Sequence, residues 1–206
     1  MSTQTGAIAG QTPSVDVLNV PREAERLLDG ERDPRRRAIL ENFRRHAMLE
    51  VSGRWPEILD PRLTVRHPVY RVSEGVETTV YDGRDAVSEF YGGMTDAGLN
   101  LLIPVWERMA VSDWGLAFES LLGQVVPGHL MHVFGEDVED AGVVYLMTHR
   151  VANIWPYDEA GLLLGENVFV DRASRQIRPM DPDEVITPEM AARALAPLLD
   201  GAPIAP

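Results

Sequence analysis

Between positions 33 and 51 apolar side chains return every four residues: Ile39, Phe43, Ala47 and Val51 mark one face. Asp33-Pro34 offers an N-cap followed by proline at the first helical position, so the pattern predicts an amphipathic helix over 34–51. Trp55, Ile58 and Leu59 predict a second, short helix that stops before Pro61, because the residue ahead of a proline is pushed out of the helical region. From Leu63 to Val72 apolar and polar positions alternate (Leu63, Val65, then His67), the period of a half-buried strand. Val76–Tyr81 reads as a short extended return into the Asp82-Gly83 turn, and Ala86, Val87, Phe90, Tyr91 and Met94 trace a helix closed near Gly98. Extended runs follow at 100–111, 116–126, 143–157 and 162–171, separated by turns at Ser112-Asp113, Pro127-Gly128 and 158–161. Thr187-Pro188-Glu189 caps a last helix that runs through Leu199 and halts at Gly201. Helices first and long consecutive strands afterwards is an α+β order, not the alternation of a doubly wound fold.

Composition narrows the chemistry. All 19 basic residues are arginine and there is no cysteine, which removes Schiff-base lysines, thiolate nucleophiles, disulfides and cysteine-held metals. A formal charge of −13 opposes nucleic acid and anionic membranes. The one basic run, Arg35-Arg36-Arg37 with Arg44 and Arg45, is interleaved with Glu41 and Glu50 and reads as a solvated helix face. His46, among these arginines, reads as a surface residue. With neither a signal-like start nor an apolar run of bilayer length, the expectation is a soluble cytoplasmic protein with no nucleic-acid or membrane partner. The expected organisation is a flexible N-terminal arm with a possible short helix (1–32), one compact domain (33–175) and a C-terminal extension with a capping helix (176–206).

Three stretches carry a resemblance. Asp60-Pro-Arg-Leu-Thr-Val-Arg-His-Pro68 is similar to the first-strand pattern of SnoaL-like proteins, and Gly83-Arg-Asp-Ala-Val-Ser-Glu-Phe-Tyr91 to their following helix. Trp155-Pro-Tyr-Asp-Glu-Ala-Gly161 through Glu166-Asn-Val-Phe-Val-Asp171 resembles their closing hairpin. Together these cover roughly 34–172. The resemblance, to the SnoaL-like polyketide cyclases of the nuclear transport factor 2-like superfamily, implies a cone: a curved antiparallel sheet wrapped around helices, with a pocket at the wide end. That superfamily holds cyclases, isomerases, dehydratases, an epoxide hydrolase and non-catalytic proteins, so the fold selects no activity. The charged residues of limonene epoxide hydrolase are replaced here by Val151, Asn153 and Val168, and the Asp and Tyr–Asp pattern of ketosteroid isomerase is not evident.

Strand parity nominates residues. If Glu166, Val168 and Val170 share a buried face, the carboxylate sits among valines and suits proton transfer; otherwise it is an exposed glutamate paired with an arginine. His149, Val151, Asn153 and Trp155 share a face of the preceding strand, where His149 and Asn153 would polarise a carbonyl and Trp155 would form apolar wall. His67, at the position of the family's histidine, is either a proton shuttle or a structural residue of the His-Pro turn. Tyr70 is a hydroxyl within reach of a substrate, Trp106 a wall residue, and Glu119 either faces outward or forms a second carboxylate across from Glu166. His129-Leu-Met-His132 would suit a metal only on a helical turn; read as extended it points its imidazoles to opposite faces, so no metal is expected. No phosphate loop or dinucleotide fingerprint appears, and no cofactor is expected. These readings converge on a cofactor-independent acid/base enzyme (cyclase, isomerase or dehydratase) acting on a small hydrophobic carbonyl compound. Glu166 would be its base or acid, and His67, His149 and Asn153 its oxyanion donors. The competing reading is a non-catalytic small-molecule-binding or dimerisation protein. A homodimer through the outer sheet face, with Arg150 forming ion pairs there, is expected in either case.

Overall fold

In a computed structural model the structure describes residues 13–201, so residues 1–12 of the expected N-terminal arm lie outside the described residues. A 3₁₀ turn at Val17–Asn19 and helix α1 (Arg22–Gly30) already belong to the domain, since Val17, Val20 and Ala24 are buried in the main core. Helix α2 (Pro34–Val51) begins where the cap signal places it: the Asp33 side chain accepts from the amides of Arg35 and Arg36. A 3₁₀ helix at Trp55–Leu59, then β1 (Val69–Glu74), β2 (Glu77–Asp82) and α3 (Arg84–Asp96) follow. The chain continues through β3 (Leu102–Ser112), β4 (Gly115–Pro127), β5 (Val144–Pro156), β6 (Asn167–Pro179) and α4 (Pro188–Asp200), the last capped by Thr187.

Among the described residues six strands form one sheet in the order β2-β1-β6-β5-β4-β3. In this sheet β1 and β6 run parallel and the other neighbours antiparallel. The result is an α+β fold in which a curved sheet wraps around helices, the architecture of nuclear transport factor 2-like proteins. Register breaks at Pro104/Trp106 in β3 and at Thr148/Arg150 opposite β6 interrupt the ladder, as bulges do where a sheet bends. Helix α2 lies inside the curve, with Ile39, Leu40, Phe43, Met48 and Leu49 buried. Among the described residues no helix is long and apolar enough to cross a membrane.

Three local expectations change. The strand expected from Leu63 starts only at Val69, because the amides of Leu63 and Thr64 both turn back onto the Asp60 carbonyl and Pro68 has no amide to give a ladder. The Pro127-Gly128 turn leads not into extended chain but into a 3₁₀ helix over Gly128–Phe134. The last long strand begins at Asn167 and runs on to Pro179, across position 175 where the compact domain was expected to end.

Register orders the inner face into rows, because side chains of directly paired residues stand on the same side of the sheet. One row runs Val72, Val168, Asn153, Phe118, Met109; the next runs Glu74, Val170, Val151, Ser120, Glu107. Beyond them His149, Leu122 and Pro104 are aligned, and on the other side Trp155, Leu116 and Val111.

Candidate functional site

Between α2, α3 and these rows lies a cavity of about 240 Å³, just below the ~300–1,000 Å³ typical of pockets for drug-sized ligands. Its walls are mostly apolar, with Phe43 and Ala47 from α2, Phe90 and Met94 from α3, and Phe118, Val151, Trp155 and Val168 from the sheet. Phe43, Phe118 and Trp155 pack edge to face, with ring centroids 5.0–5.9 Å apart.

Glu166 stands at one end, 7% exposed. Its position depends on Gly165, whose φ is +152° and where an added Cβ would lie 1.9 Å from the Val69 carbonyl oxygen. Only glycine permits this approach to β1, and the Glu166 carbonyl then accepts from the Arg71 amide at 2.7 Å. The Tyr91 hydroxyl donates to Glu166 Oε1 at 3.0 Å, and His46 Nε2 lies 2.8 Å from the Tyr91 oxygen and 3.2 Å from the same Oε1. Since the phenol has one proton and spends it on Glu166, His46 Nε2 must be protonated to bond the Tyr91 oxygen. The imidazole is itself 1% exposed and packs on Trp155 at 4.6 Å. Burial first, then the Glu166 charge, holds Tyr91 well above the ordinary phenol range, so it remains a neutral donor. Tyr70 and Tyr157 are raised in the same way for the same two leading reasons. Among the described residues neither of these two hydroxyls makes a hydrogen bond of good geometry, although Tyr70 packs against Tyr91.

Glu50 of α2 lines the same cavity. Burial, reinforced by the charge of Glu166, raises its carboxyl to about 8, so at neutral pH it keeps its proton. Glu107 of β3 is also raised to about 8, by burial and then by Glu23. At the opposite end, Arg175 is 5% exposed and reaches both Glu74 and Glu136. His149 is lowered to about 4 by burial and then by the Arg175 guanidinium, against the pull of Glu74. It is therefore a neutral imidazole, and its Nδ1 has no partner among the described residues.

The structure brings together on the cavity wall Glu166, His149, Asn153, Val151, Trp155 and Val168. Four other nominated residues lie elsewhere. His67 precedes β1 instead of lying on it; its side chain is 70% exposed and pairs with Asp82 at 2.8 Å, so it is no oxyanion donor in this cavity. Trp106 faces outward because the β3 bulge flips its parity: it pairs with outward Leu121 and lies 5.7 Å beneath the Arg150 guanidinium. Glu119 shares that outer face, bonded to Arg108 and Arg150, so the second carboxyl near Glu166 is Glu50. Arg150 is thereby bound within its own chain. Tyr70 is buried behind the wall, off the cavity surface. His129 and His132 are exposed on the 3₁₀ helix, where His132 Nδ1 donates to the His129 carbonyl. Among the described residues no three His, Asp or Glu side chains gather as a metal site.

His46 and Glu50, read from sequence as a surface residue and as part of a solvated helix face, are instead a buried imidazole and a cavity-lining carboxyl, and Tyr91 and Glu107 were not nominated. Spacing held the signal for two of them: His46 and Glu50 follow Ile39 and Phe43 at seven and eleven, three and seven positions, on the stripe that faces the sheet. Tyr91 falls four residues after buried Val87. Glu107 returns inward only through the bulge at Pro104/Trp106, which alternation alone does not reveal.

No family model matches the sequence, and no curated protein matches it. Among solved structures the chain is similar to Bal32a from a soil-derived mobile gene cassette, at 12% identity and a TM-score of 0.48, over 67% of this chain and 92% of that one. It is similar also to SalBIII, an epoxide hydrolase/cyclase-like enzyme in pyran ring formation in polyether salinomycin, at 12% identity and a TM-score of 0.44, over 70% and 95%. A third is an NTF2-like protein with a cystatin-like fold from Novosphingobium aromaticivorans, at 17% identity and a TM-score of 0.40, over 73% and 89%. The fold assignment rests on strand order and sheet shape, and no activity is carried over from these three.

Proposed function

We propose that the protein is a cofactor-independent acid/base catalyst acting on a small, largely apolar carbonyl compound, as an isomerase, dehydratase or cyclase. The observation that carries this reading is Glu166, a buried carboxyl on the wall of an apolar cavity, fixed by Tyr91 and His46. Glu166 would take the proton from carbon next to the substrate carbonyl. The C–H electron pair would form the enol double bond, and the carbonyl oxygen would take the proton held by Glu50. As the carbonyl re-forms, the enol oxygen would return its proton to Glu50, while Glu166 would deliver the abstracted proton either to a different carbon, giving isomerisation, or to a departing β-hydroxyl, which leaves as water in a dehydration. Asn153 and neutral His149 would orient the substrate by hydrogen bonds.

The test is deuterium exchange. Cyclohexanone, 2-cyclohexenone and 1-indanone, incubated in D₂O and followed by NMR, should gain deuterium beside the carbonyl faster with the wild-type protein than with Glu166→Gln. Equal rates for all three compounds would remove the catalytic reading and leave its competitor, a binding protein with the same cavity. Pairing of two copies through the outer sheet face belongs to the same proposal, supported by exposed Ile154 and Phe169 there. Sedimentation of the wild type beside Phe169→Glu checks it, with a shift to monomer expected in the variant.

A further inference from the structure

The cavity wall contains more carboxyl groups than the proton-transfer reading uses. Glu50, Glu74, Glu107 and Glu166 all line it, whereas Arg175 is the lone basic side chain among the described lining residues. Arg175 is already matched by Glu74 and Glu136. Neither the Glu50 nor the Glu107 carboxyl group has a hydrogen-bond or ion-pair partner among the described residues, although the Glu50 backbone carbonyl accepts from Asn100. Beside Glu107, directly across the ladder, stands Ser120 on the inner face. It is 0% exposed, lines the cavity, and its Oγ has no partner among the described residues. Such a hydroxyl costs stability unless something in the cavity bonds it.

We infer that this cavity receives a small apolar molecule bearing a protonated amine, its ammonium group held by the Glu107 carboxylate and the Ser120 hydroxyl. Its hydrocarbon body would lie between Phe43, Phe118 and Trp155, whose ring faces also favour a cation. An unmatched carboxylate in apolar surroundings is stabilised either by keeping its proton or by a counter-ion. Without ligand, Glu107 and Glu50 take the first course, each raised to about 8. An arriving ammonium supplies the second, so Glu107 gives up its proton as the ligand binds. The charged groups around these carboxyls are Glu23, paired with Arg26, beside Glu107, and Glu166 beside Glu50. Among the described residues neither carboxyl faces a competing cation. The net charge of −13 would also draw cations toward the protein. The inference rests on the cavity as a ligand site and stands apart from whether Glu166 performs catalysis.

Two near-isosteric probes decide it: cyclohexylmethylamine, charged at neutral pH, and cyclohexylmethanol, which is not. Calorimetric titration at pH 7 in phosphate and in Tris should show the amine binding at least tenfold tighter. Its heat should differ between the buffers, because a proton is released. Glu107→Gln should lower amine affinity tenfold or more and leave alcohol affinity within a factor of two; Ser120→Ala, which should weaken amine binding and not alcohol binding, is the second variant should the first fail to fold. Alcohol binding as tightly as the amine, an unchanged preference in both variants, or no binding of either probe would overturn the inference. The first of these outcomes leaves the carbonyl reading untouched, since that is judged by deuterium exchange in Glu166→Gln.

Discussion

The Tyr91 hydroxyl donates to Glu166 Oε1 across 3.0 Å, joining α3 to a residue 75 positions later in the chain. Because His46 Nε2 meets the same hydroxyl oxygen at 2.8 Å, a helix inside the curve, a second helix and the sheet are tied at one buried point. A hydrogen bond to a charged group is worth about 1.5–3 kcal/mol. Tyr91→Phe should therefore lower stability by about 2 kcal/mol in urea denaturation. Combined with Glu166→Gln, the loss should fall short of the sum of the single variants by more than about 0.5 kcal/mol. Strict additivity would show that the two side chains do not interact.

Burial of the Glu50 carboxyl makes stability depend on pH in a stated direction. Its folded value is raised to about 8 from an ordinary 4.5, so the folded state holds more protons between these limits. The contribution is fully present below about pH 4.5 and is lost as pH rises through about 8, where the charge is forced on a buried group. Glu107 follows the same sign over the same window. Thermal melts from pH 5 to pH 9 should show a falling midpoint in the wild type and a flatter profile in Glu50→Gln. A profile unchanged by that substitution would mean the carboxyl is solvated.

Gly165 is required by geometry and not by flexibility. A Cβ there would meet the Val69 carbonyl oxygen at 1.9 Å and its carbon at 2.7 Å, both rigid backbone atoms at the start of β1. Gly165→Ala should cost more than about 4 kcal/mol, or give no folded protein, since a clash with backbone cannot be relieved by a rotamer change. Circular dichroism and the soluble yield report the outcome; a stable variant would show that the chain crosses β1 at a greater distance.

The elements read well from periodicity wherever one period ran uninterrupted. Asp33-Pro34 and the four-residue repeat placed α2, and alternation placed His149, Val151, Asn153 and Trp155 on one face, all of which line the cavity. The readings that changed are those where a local event intervened. Turn hydrogen bonds at Asp60 and the missing amide of Pro68 kept His67 off the strand. The bulge after Pro104 moved Trp106 outward and Glu107 inward. The arginine neighbours of His46 suggest a surface position, yet Arg44 turns to Glu25 of α1 and Arg45 to the Leu199 carbonyl of α4, while His46 packs on Trp155 of the sheet.

By itself the sequence determined the fold class, the position of most helices and strands, and the exclusion of lysine and cysteine chemistry. Those follow from which residues are present and from periods two to four positions long, and such information is local. Which carboxyls share the cavity was decided only in three dimensions. Glu50 lines the cavity with Glu166, and Glu119 does not, because helix rotation and sheet curvature set directions over distances the local pattern does not encode. Their protonation follows from that placement, since a carboxyl's proton affinity depends on the water and charge around it and not on its neighbours in the chain.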